Sequence, residues 1–209
     1  MTIRAIETIY AGCRFRSRLE ARWAVFFDEL DIEWKYEAQG YEKDGERYLP
    51  DFLLPRTQTF VEVKGDREAL VRDFDRQVRL HDFNGVLPDF QESFGTKRGL
   101  LLLGDIPYAP GCVVFHPLIQ HHKGLHRVWC GFFPMHCGGY APLVADYNRE
   151  VLALLCNITA DSGADSDASK WFVEHRAVRF PGTFHAVASA YLVARQARFE
   201  HGECAAVAR

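Results

Sequence analysis

Two acidic side chains and a lysine within residues 48–66 have the types and spacing of a hydrolytic metal site. The stretch is YLPDFLLPRTQTFVEVKGD, with Asp51 in its first third and Glu62 and Lys64 near its end. Side chains alternate between the two faces of a strand, so Glu62 and Lys64 share a face. A hairpin would bring Asp51 beside Glu62, where the two carboxylates repel each other unless a cation is present.

The chemistry that suits such a cluster is hydrolysis of a phosphodiester. Oxygen-only ligands favour Mg²⁺ or Mn²⁺, and a metal held by carboxylates can polarise a phosphodiester and activate a bound water. Lys64 would position that water or offset the charge that develops in the transition state. We therefore expect Asp51 and Glu62 to hold the metal and Lys64 to be catalytic.

A fourth candidate, Glu20, precedes these residues on a predicted helix. Ser17 and Glu20 have the spacing of a capping box, and capping alone accounts for a glutamate at this position. Glu20 also lies at the margin of the apolar stripe of the helix, from which its carboxylate could reach the other two. Three arginines around it form a basic patch that could contact backbone phosphates, namely Arg16, Arg18 and Arg22.

The pattern of apolar residues indicates which elements position these side chains. Helices are predicted over 17–30, 67–83 and 186–199, strands over 33–39, 48–54, 59–64 and 99–106, and turns over 40–45 and 55–58. The short turn predicts that the second and third strands pair as an antiparallel hairpin. The order helix, three strands, helix, strand predicts an α/β fold with a mixed sheet.

These residues together resemble the PD-(D/E)xK nuclease superfamily. The literal PD ends at Asp51, the literal ExK runs from Glu62 to Lys64, and the helix upstream carries Glu20 in RSRLEARW. The resemblance covers about half of the chain and implies a restriction-endonuclease-like core. It also implies that Asp51 and Glu62 bind Mg²⁺, that Lys64 is catalytic, and that Glu20 is a metal ligand or holds the water.

Two further features bear on that resemblance. RecB-like members carry a Gln and a Tyr four residues apart on the following helix; here Gln77 matches the first, and His81 stands in the place of the second. The general character of the chain also resembles small phage or prophage proteins of actinobacteria.

Composition excludes several classes of protein. The chain has 209 residues, of which 48% are hydrophobic and 25% charged, which is typical of a globular protein with a real core. The net charge of −3 excludes a polycationic nucleic-acid binder. The chain contains no run of the roughly 18 apolar residues that a membrane-spanning helix needs. Residues 1–10 also lack the apolar region of a signal peptide. We expect a cytoplasmic protein, in a bacterium or a phage-infected host cell.

The second half of the chain has a different composition. Histidines and cysteines accumulate among Gly and Pro residues, and 161–169 has the polar composition of a linker. We expect a nuclease-like core over 1–110 and a partly helical extension over 111–209. Candidate zinc ligands in the extension are Cys130, His136 and Cys137, with a fourth ligand left open. Since no CxxC spacing is present, ordinary core and polar residues are the favoured interpretation.

The function these residues predict is metal-dependent hydrolysis of nucleic acid, with DNA as the favoured substrate. One alternative is a non-catalytic nucleic-acid-binding or assembly subunit built on the same core. Another is a zinc-binding interaction module that depends on the His/Cys region. The sequence leaves open DNA against RNA, endonuclease against exonuclease, and whether the protein is a homodimer.

Overall fold

The first helix begins at a capping box, as the sequence predicts. The computed structural model describes residues 6–66, 87, 99–108, 112–121, 125–134, 140–144, 176–179 and 185–199. Helix α1 spans Arg18–Glu29, and the hydroxyl of its N-cap Ser17 accepts a hydrogen bond from the Glu20 N–H at 3.2 Å. Asp31, with a φ of 53°, follows the last turn in the left-handed conformation that commonly ends a helix.

The other elements in the described residues are twelve strands and a second helix. The strands are β1 Thr8–Tyr10, β2 Cys13–Phe15, β3 Lys35–Tyr36, β4 Tyr41–Lys43, β5 Glu46–Tyr48, β6 Phe52–Leu54, β7 Thr59–Val63, β8 Gly99–Leu103, β9 Cys112–His121, β10 Leu125–Pro134, β11 Tyr140–Val144 and β12 Arg176–Arg179. Helix α2 spans His185–Gln196, within a residue of the predicted start.

Eight of these strands form one mixed sheet. Its order is β11-β10-β9-β8-β7-β6-β3, and β12 pairs with the first part of β9. Strands β7 and β8 are parallel, whereas the other neighbours are antiparallel. A parallel pair needs a crossover connection, and the helix predicted over 67–83 falls within it but lies outside the described residues. The predicted α/β class with a mixed sheet is confirmed.

Two short hairpins were not predicted. Strands β1 and β2 are joined by Ala11 and Gly12, and β4 and β5 by Asp44 and Gly45, and all four residues have positive φ angles. Positive φ at both central residues is the type I′ turn, which matches the twist of a two-residue hairpin. The segment 40–45, predicted as a turn, therefore contains strand β4 as well as the turn.

The strand predicted over 48–54 is interrupted. Strand β5 ends at Tyr48 and β6 begins at Phe52, with Pro50 between them. Proline cannot donate to a strand ladder, so it separates the two strands. The turn at 55–58 and the antiparallel pairing of β6 with β7 are as predicted.

Aromatic side chains of α1 form the centre of the core. Phe26 is fully buried, stacks on Tyr191 of α2 with 4.5 Å between ring centroids, and meets Phe132 of β10 edge-on at 4.9 Å. Trp23 donates from Nε1 to the carbonyl of Gly104 at 2.8 Å, just beyond β8. The helix is thus fixed to both halves of the chain.

Residues on either side of position 110 belong to the same sheet. Strand β9 pairs with β8, with Leu118 opposite Leu101. The described part of 111–209 consists of four strands and α2, so the expectation of a partly helical extension omitted β9 to β12. The predicted division at 110 marks a change in composition rather than an interruption of the sheet. Neither helix in the described residues is long and apolar enough to cross a membrane.

The core packing leads to a stability prediction. We expect Phe26→Ala to lower the free energy of unfolding by about 3–5 kcal/mol, since it removes a fully buried ring and leaves a cavity between α1, α2 and the sheet. Urea denaturation measures the change. Ile9→Ala, at a half-exposed position, should cost less than about 1 kcal/mol. Equal losses in the two variants would contradict this account of the core.

Candidate active site

Asp51 and Glu62 lie opposite each other at the open end of the β6–β7 hairpin. The register pairs Phe52 with Val61, so Asp51 and Glu62 form the next pair outward. Opposed residues of antiparallel strands have Cβ atoms about 4.5–5.5 Å apart and point to the same face. Each of the two residues, taken as a whole, is only 5% exposed. The structure therefore brings together the two carboxylates that the hairpin spacing predicted as neighbours.

Each carboxylate oxygen of Asp51 accepts one hydrogen bond. Its Oδ2 accepts from the Val63 N–H and its Oδ1 from Arg16 Nη2, both at 2.7 Å. Burial and the nearby charge of Glu62, together with a smaller contribution from Glu20, raise the pKa of Asp51 to about 7 despite those two donors. Glu62 and Glu20 are thus both close enough to act on the charge of Asp51.

Glu62 joins the lysine to a tyrosine that the sequence analysis did not single out. Lys64 Nζ lies 2.8 Å from Glu62 Oε1, and the Tyr48 hydroxyl donates to Oε2 at 2.5 Å. Every residue of β7 is buried, whereas the Lys64 side chain just beyond it is one-third exposed. The ammonium group therefore lies where the buried carboxylates meet solvent.

Glu20 caps the helix and also belongs to the acidic cluster. Its Oε1 accepts from the Ser17 hydroxyl at 2.7 Å. Its Oε2 accepts from the Tyr36 hydroxyl at 2.6 Å and from the Arg16 N–H at 3.1 Å. The contacts at the helix start hold the Glu20 carboxylate where its charge acts on Asp51.

Arg16 is paired with two carboxylates. Besides Asp51, it contacts Glu37, with Nε 2.7 Å from Oε1. Burial acts to lower the pKa of Arg16, but the hydrogen bond with Tyr36 and the charges of Asp51 and Glu37 raise it overall. The guanidinium therefore stays charged within the acidic cluster, whereas the sequence suggested only a phosphate contact.

Three residues of this site were missed by sequence reasoning: Tyr36, Glu37 and Tyr48. A buried carboxylate must find hydrogen-bond donors, and tyrosine is a donor that adds no charge. Tyr48 is close in sequence to Asp51 but bonds to Glu62, so its partner is set by the packing of the β4–β5 hairpin and not by local spacing. Aromatic residues in strand-like segments gave no signal that separates such donors from core residues.

The remaining candidate residues are placed as follows. Arg18 and Arg22 are half-buried on α1, and their Nε atoms have no hydrogen-bond partner among the described residues. Cys130 is fully buried in the core, where burial raises the pKa of its thiol and disfavours the thiolate that zinc requires. His136 and Cys137 lie outside the described residues, as do Gln77 and His81 of the RecB-like comparison.

The negative charge of Asp51, Glu62 and Glu20 suits a divalent cation, although protein groups already pair with these carboxylates. No set of three or more His, Cys, Asp or Glu side chains in the described ranges is arranged as a metal centre. Each oxygen of the three predicted carboxylates already accepts a hydrogen bond or ion pair. Among the residues that the structure describes, four carboxylates, with Glu37 included, form ion pairs with two cations, Arg16 and Lys64. This excess of negative charge suits Mg²⁺ or Mn²⁺, which prefer oxygen ligands.

Comparison with known proteins provides no family for the chain: no family model matches it, and no curated protein or solved structure matches it. Its function must therefore be inferred from the chemistry of the site.

The pKa of Asp51 predicts a pH-dependent stability. The folded protein retains the Asp51 proton up to about pH 7, whereas the unfolded chain loses it near 3.8. In metal-free buffer, ionisation of Asp51 should therefore make stability fall as the pH rises between these values. We expect Asp51→Asn to gain stability relative to wild type at about pH 8, with a smaller difference at about pH 4, as measured by urea denaturation.

Asp44→Asn is the matched control, because Asp44 is exposed and Asn suits its turn. Its difference from wild type should be similar at the two pH values. A difference between Asp51→Asn and wild type that is independent of pH, or larger at low pH, would contradict the assigned environment of Asp51.

Proposed function

We propose that this protein is a metal-dependent nuclease that hydrolyses the phosphodiester bonds of nucleic acid, with DNA as the favoured substrate. One observation carries the proposal: Asp51 and Glu62 are buried opposite each other, with the Lys64 ammonium beside Glu62. Burial of like charges destabilises a fold. A buried carboxyl group with a raised pKa, here Asp51, near a partly exposed lysine is more typical of a reactive site than of a structural one.

The residues have separate roles in the proposed enzyme. Asp51 and Glu62 hold Mg²⁺ or Mn²⁺, and Glu20 adds a third negative charge from the start of α1. A divalent ion held by these residues would supply the charge that polarises a phosphodiester and lowers the pKa of a water. Lys64 is one-third exposed and positively charged, so it can hold an attacking water or offset charge on the phosphate.

The order of the described elements supports the same proposal. Helix α1 is followed by β3, β6 and β7 as adjacent strands, and β8 then pairs in parallel with β7. This arrangement agrees with the restriction-endonuclease-like core that the resemblance implies, which we include in the proposal. The cytoplasm of a bacterium or of a phage-infected host is the proposed location, and a homodimer remains an open alternative.

A second candidate function is a non-catalytic nucleic-acid-binding or assembly subunit on the same core. The observation that favours it is that every carboxylate oxygen of Asp51, Glu62 and Glu20 has a protein partner, above all Arg16 on Asp51. In such a protein the ion pairs would stabilise the fold and no metal would bind. Metal-dependent cleavage separates the two candidates.

The cleavage test uses the wild-type protein and two lysine variants. We expect wild type to cleave at least one of supercoiled plasmid, linear duplex, single-stranded DNA and RNA in Mg²⁺ or Mn²⁺, and EDTA to stop the reaction. Lys64→Ala should lower the rate by about 10²-fold or more, because it removes a charge that acts in the transition state. Lys43→Ala, at an exposed position on β4, should cleave like wild type.

Two results would refute the proposed nuclease activity. One is the absence of cleavage on all four substrates with both metals; nucleic-acid binding without cleavage would then support the second candidate. The other is cleavage at the same rate by wild type and Lys64→Ala, since this would place the reaction elsewhere.

Tyr48 provides a separate prediction about the position of Glu62. Tyr48→Phe removes the hydroxyl that donates to Glu62 and keeps the ring. We expect the half-saturating metal concentration for cleavage to rise by about tenfold, since residues that orient metal ligands have effects of about 10–100-fold. Tyr41→Phe is the control, because Tyr41 lies opposite Tyr48 on the β4–β5 hairpin. Its ring packs against Phe60 of β7. An unchanged metal requirement in Tyr48→Phe would show that the hydroxyl does not orient Glu62.

A further inference from the structure

The Arg16 guanidinium bridges a buried and a half-buried carboxylate. Its Nη2 lies 2.7 Å from Asp51 Oδ1, and its Nε lies 2.7 Å from Glu37 Oε1. Asp51 is one of the two carboxylates proposed to hold the metal. Arg16 therefore neutralises the group that a divalent cation would need to bind.

The two partners of this ion pair differ sharply in burial. The Arg16 side chain is 57% exposed, whereas that of Asp51 is 7% exposed. On release, the guanidinium would exchange its protein hydrogen bonds for bonds to water, because more than half of its side chain is already exposed. Asp51 cannot follow it, since its other oxygen is bonded to the Val63 N–H. A buried carboxylate left without its cation costs several kcal/mol, so Arg16 leaves readily only when another cation arrives.

Glu37 provides a second anchor for Arg16. Its φ of 43° lies in the left-handed region, which is costly for a residue with a side chain. Its N–H donates to the Asp51 carbonyl at 2.9 Å. The backbone that carries Asp51 is thus tied to the residue that pairs with the Nε of Arg16.

We propose that Arg16 is a resident counter-ion of the site, which a divalent metal displaces from Asp51, and that the released guanidinium then binds a phosphate of the nucleic acid. This inference rests on the proposed nuclease function and adds a form of regulation to it. The same charge serves two partners in turn, first the carboxylate and then the substrate.

The displacement couples metal binding to nucleic-acid binding. Metal on Asp51 makes Arg16 available to phosphate, and phosphate on Arg16 makes Asp51 available to metal. Because such coupling is reciprocal, each ligand must raise the affinity of the other by the same factor. Lys64 pairs with the other proposed ligand, Glu62, at 2.8 Å, and the inference concerns Arg16 alone.

The first experiment titrates Mn²⁺ into the metal-free protein by calorimetry. We expect Arg16→Gln to lower the Kd for Mn²⁺ by about tenfold, because the competing cation is gone and ligand-orienting groups act on this scale. Arg16→Lys keeps the positive charge and should bind Mn²⁺ close to wild type. Arg47→Gln is the matched control, since it removes an exposed arginine from its ion pair with Glu42, and its Kd should not change.

The second experiment tests the phosphate step in a background that cleaves slowly. Binding of a short DNA duplex is measured for Lys64→Ala and for Lys64→Ala with Arg16→Gln, each with and without Mn²⁺. We expect Mn²⁺ to increase the duplex affinity of the single variant by several-fold more than that of the double variant. The salt dependence of binding should also fall by about one phosphate contact in the double variant with Mn²⁺.

The outcomes separate this inference from the function on which it rests. Failure of wild type to bind Mn²⁺ would overturn both. If wild type binds Mn²⁺, two results would overturn displacement alone. One is a Kd for Mn²⁺ in Arg16→Gln that is unchanged or higher than in wild type. The other is a Kd in Arg16→Lys that is lowered as much as in Arg16→Gln. Equal stimulation of duplex binding by Mn²⁺ in the single and double variants would overturn the release of Arg16 to phosphate.

Discussion

Negative charge buried between the start of α1 and the open end of the β6–β7 hairpin is the constraint on which the site depends. Asp51 and Glu62 are opposed on adjacent strands, and Glu20 adds its charge from the helix. Carboxylates in this position are tolerated only when each has hydrogen-bond donors or cations around it. Much of the nearby structure supplies those partners.

The donors come from elements that are distant in sequence. Strand β3 brings Tyr36 to Glu20, and the β4–β5 hairpin brings Tyr48 to Glu62. The capping hydroxyl of Ser17 serves both the helix end and the carboxylate of Glu20. The start of α1 therefore both caps the helix and lines the group of buried carboxylates. For this reason the sequence alone could not tell whether Glu20 serves as a helix cap or as a member of that group.

The second half of the chain stabilises the position of that helix. Phe26 packs between Tyr191 of α2 and Phe132 of β10. His116 of β9, whose Nε2 lies 2.9 Å from the Tyr191 hydroxyl, meets the Trp23 ring edge-on. His116 and Cys130 of this region thus contribute to the core. The strands after 110 act on the candidate site indirectly, by holding α1 against the sheet.

The sequence by itself determined α1, the β6–β7 hairpin with its turn at 55–58, and the pairing of Asp51 with Glu62. These features follow from alternation, helical spacing and short connections, which act over a few residues. Only the tertiary structure decided that Arg16 meets Asp51, 35 residues away, and that the strands after 110 continue the same sheet. Such contacts depend on how whole elements pack, and no local pattern encodes that Arg16 reaches Asp51 or that Tyr48 reaches Glu62.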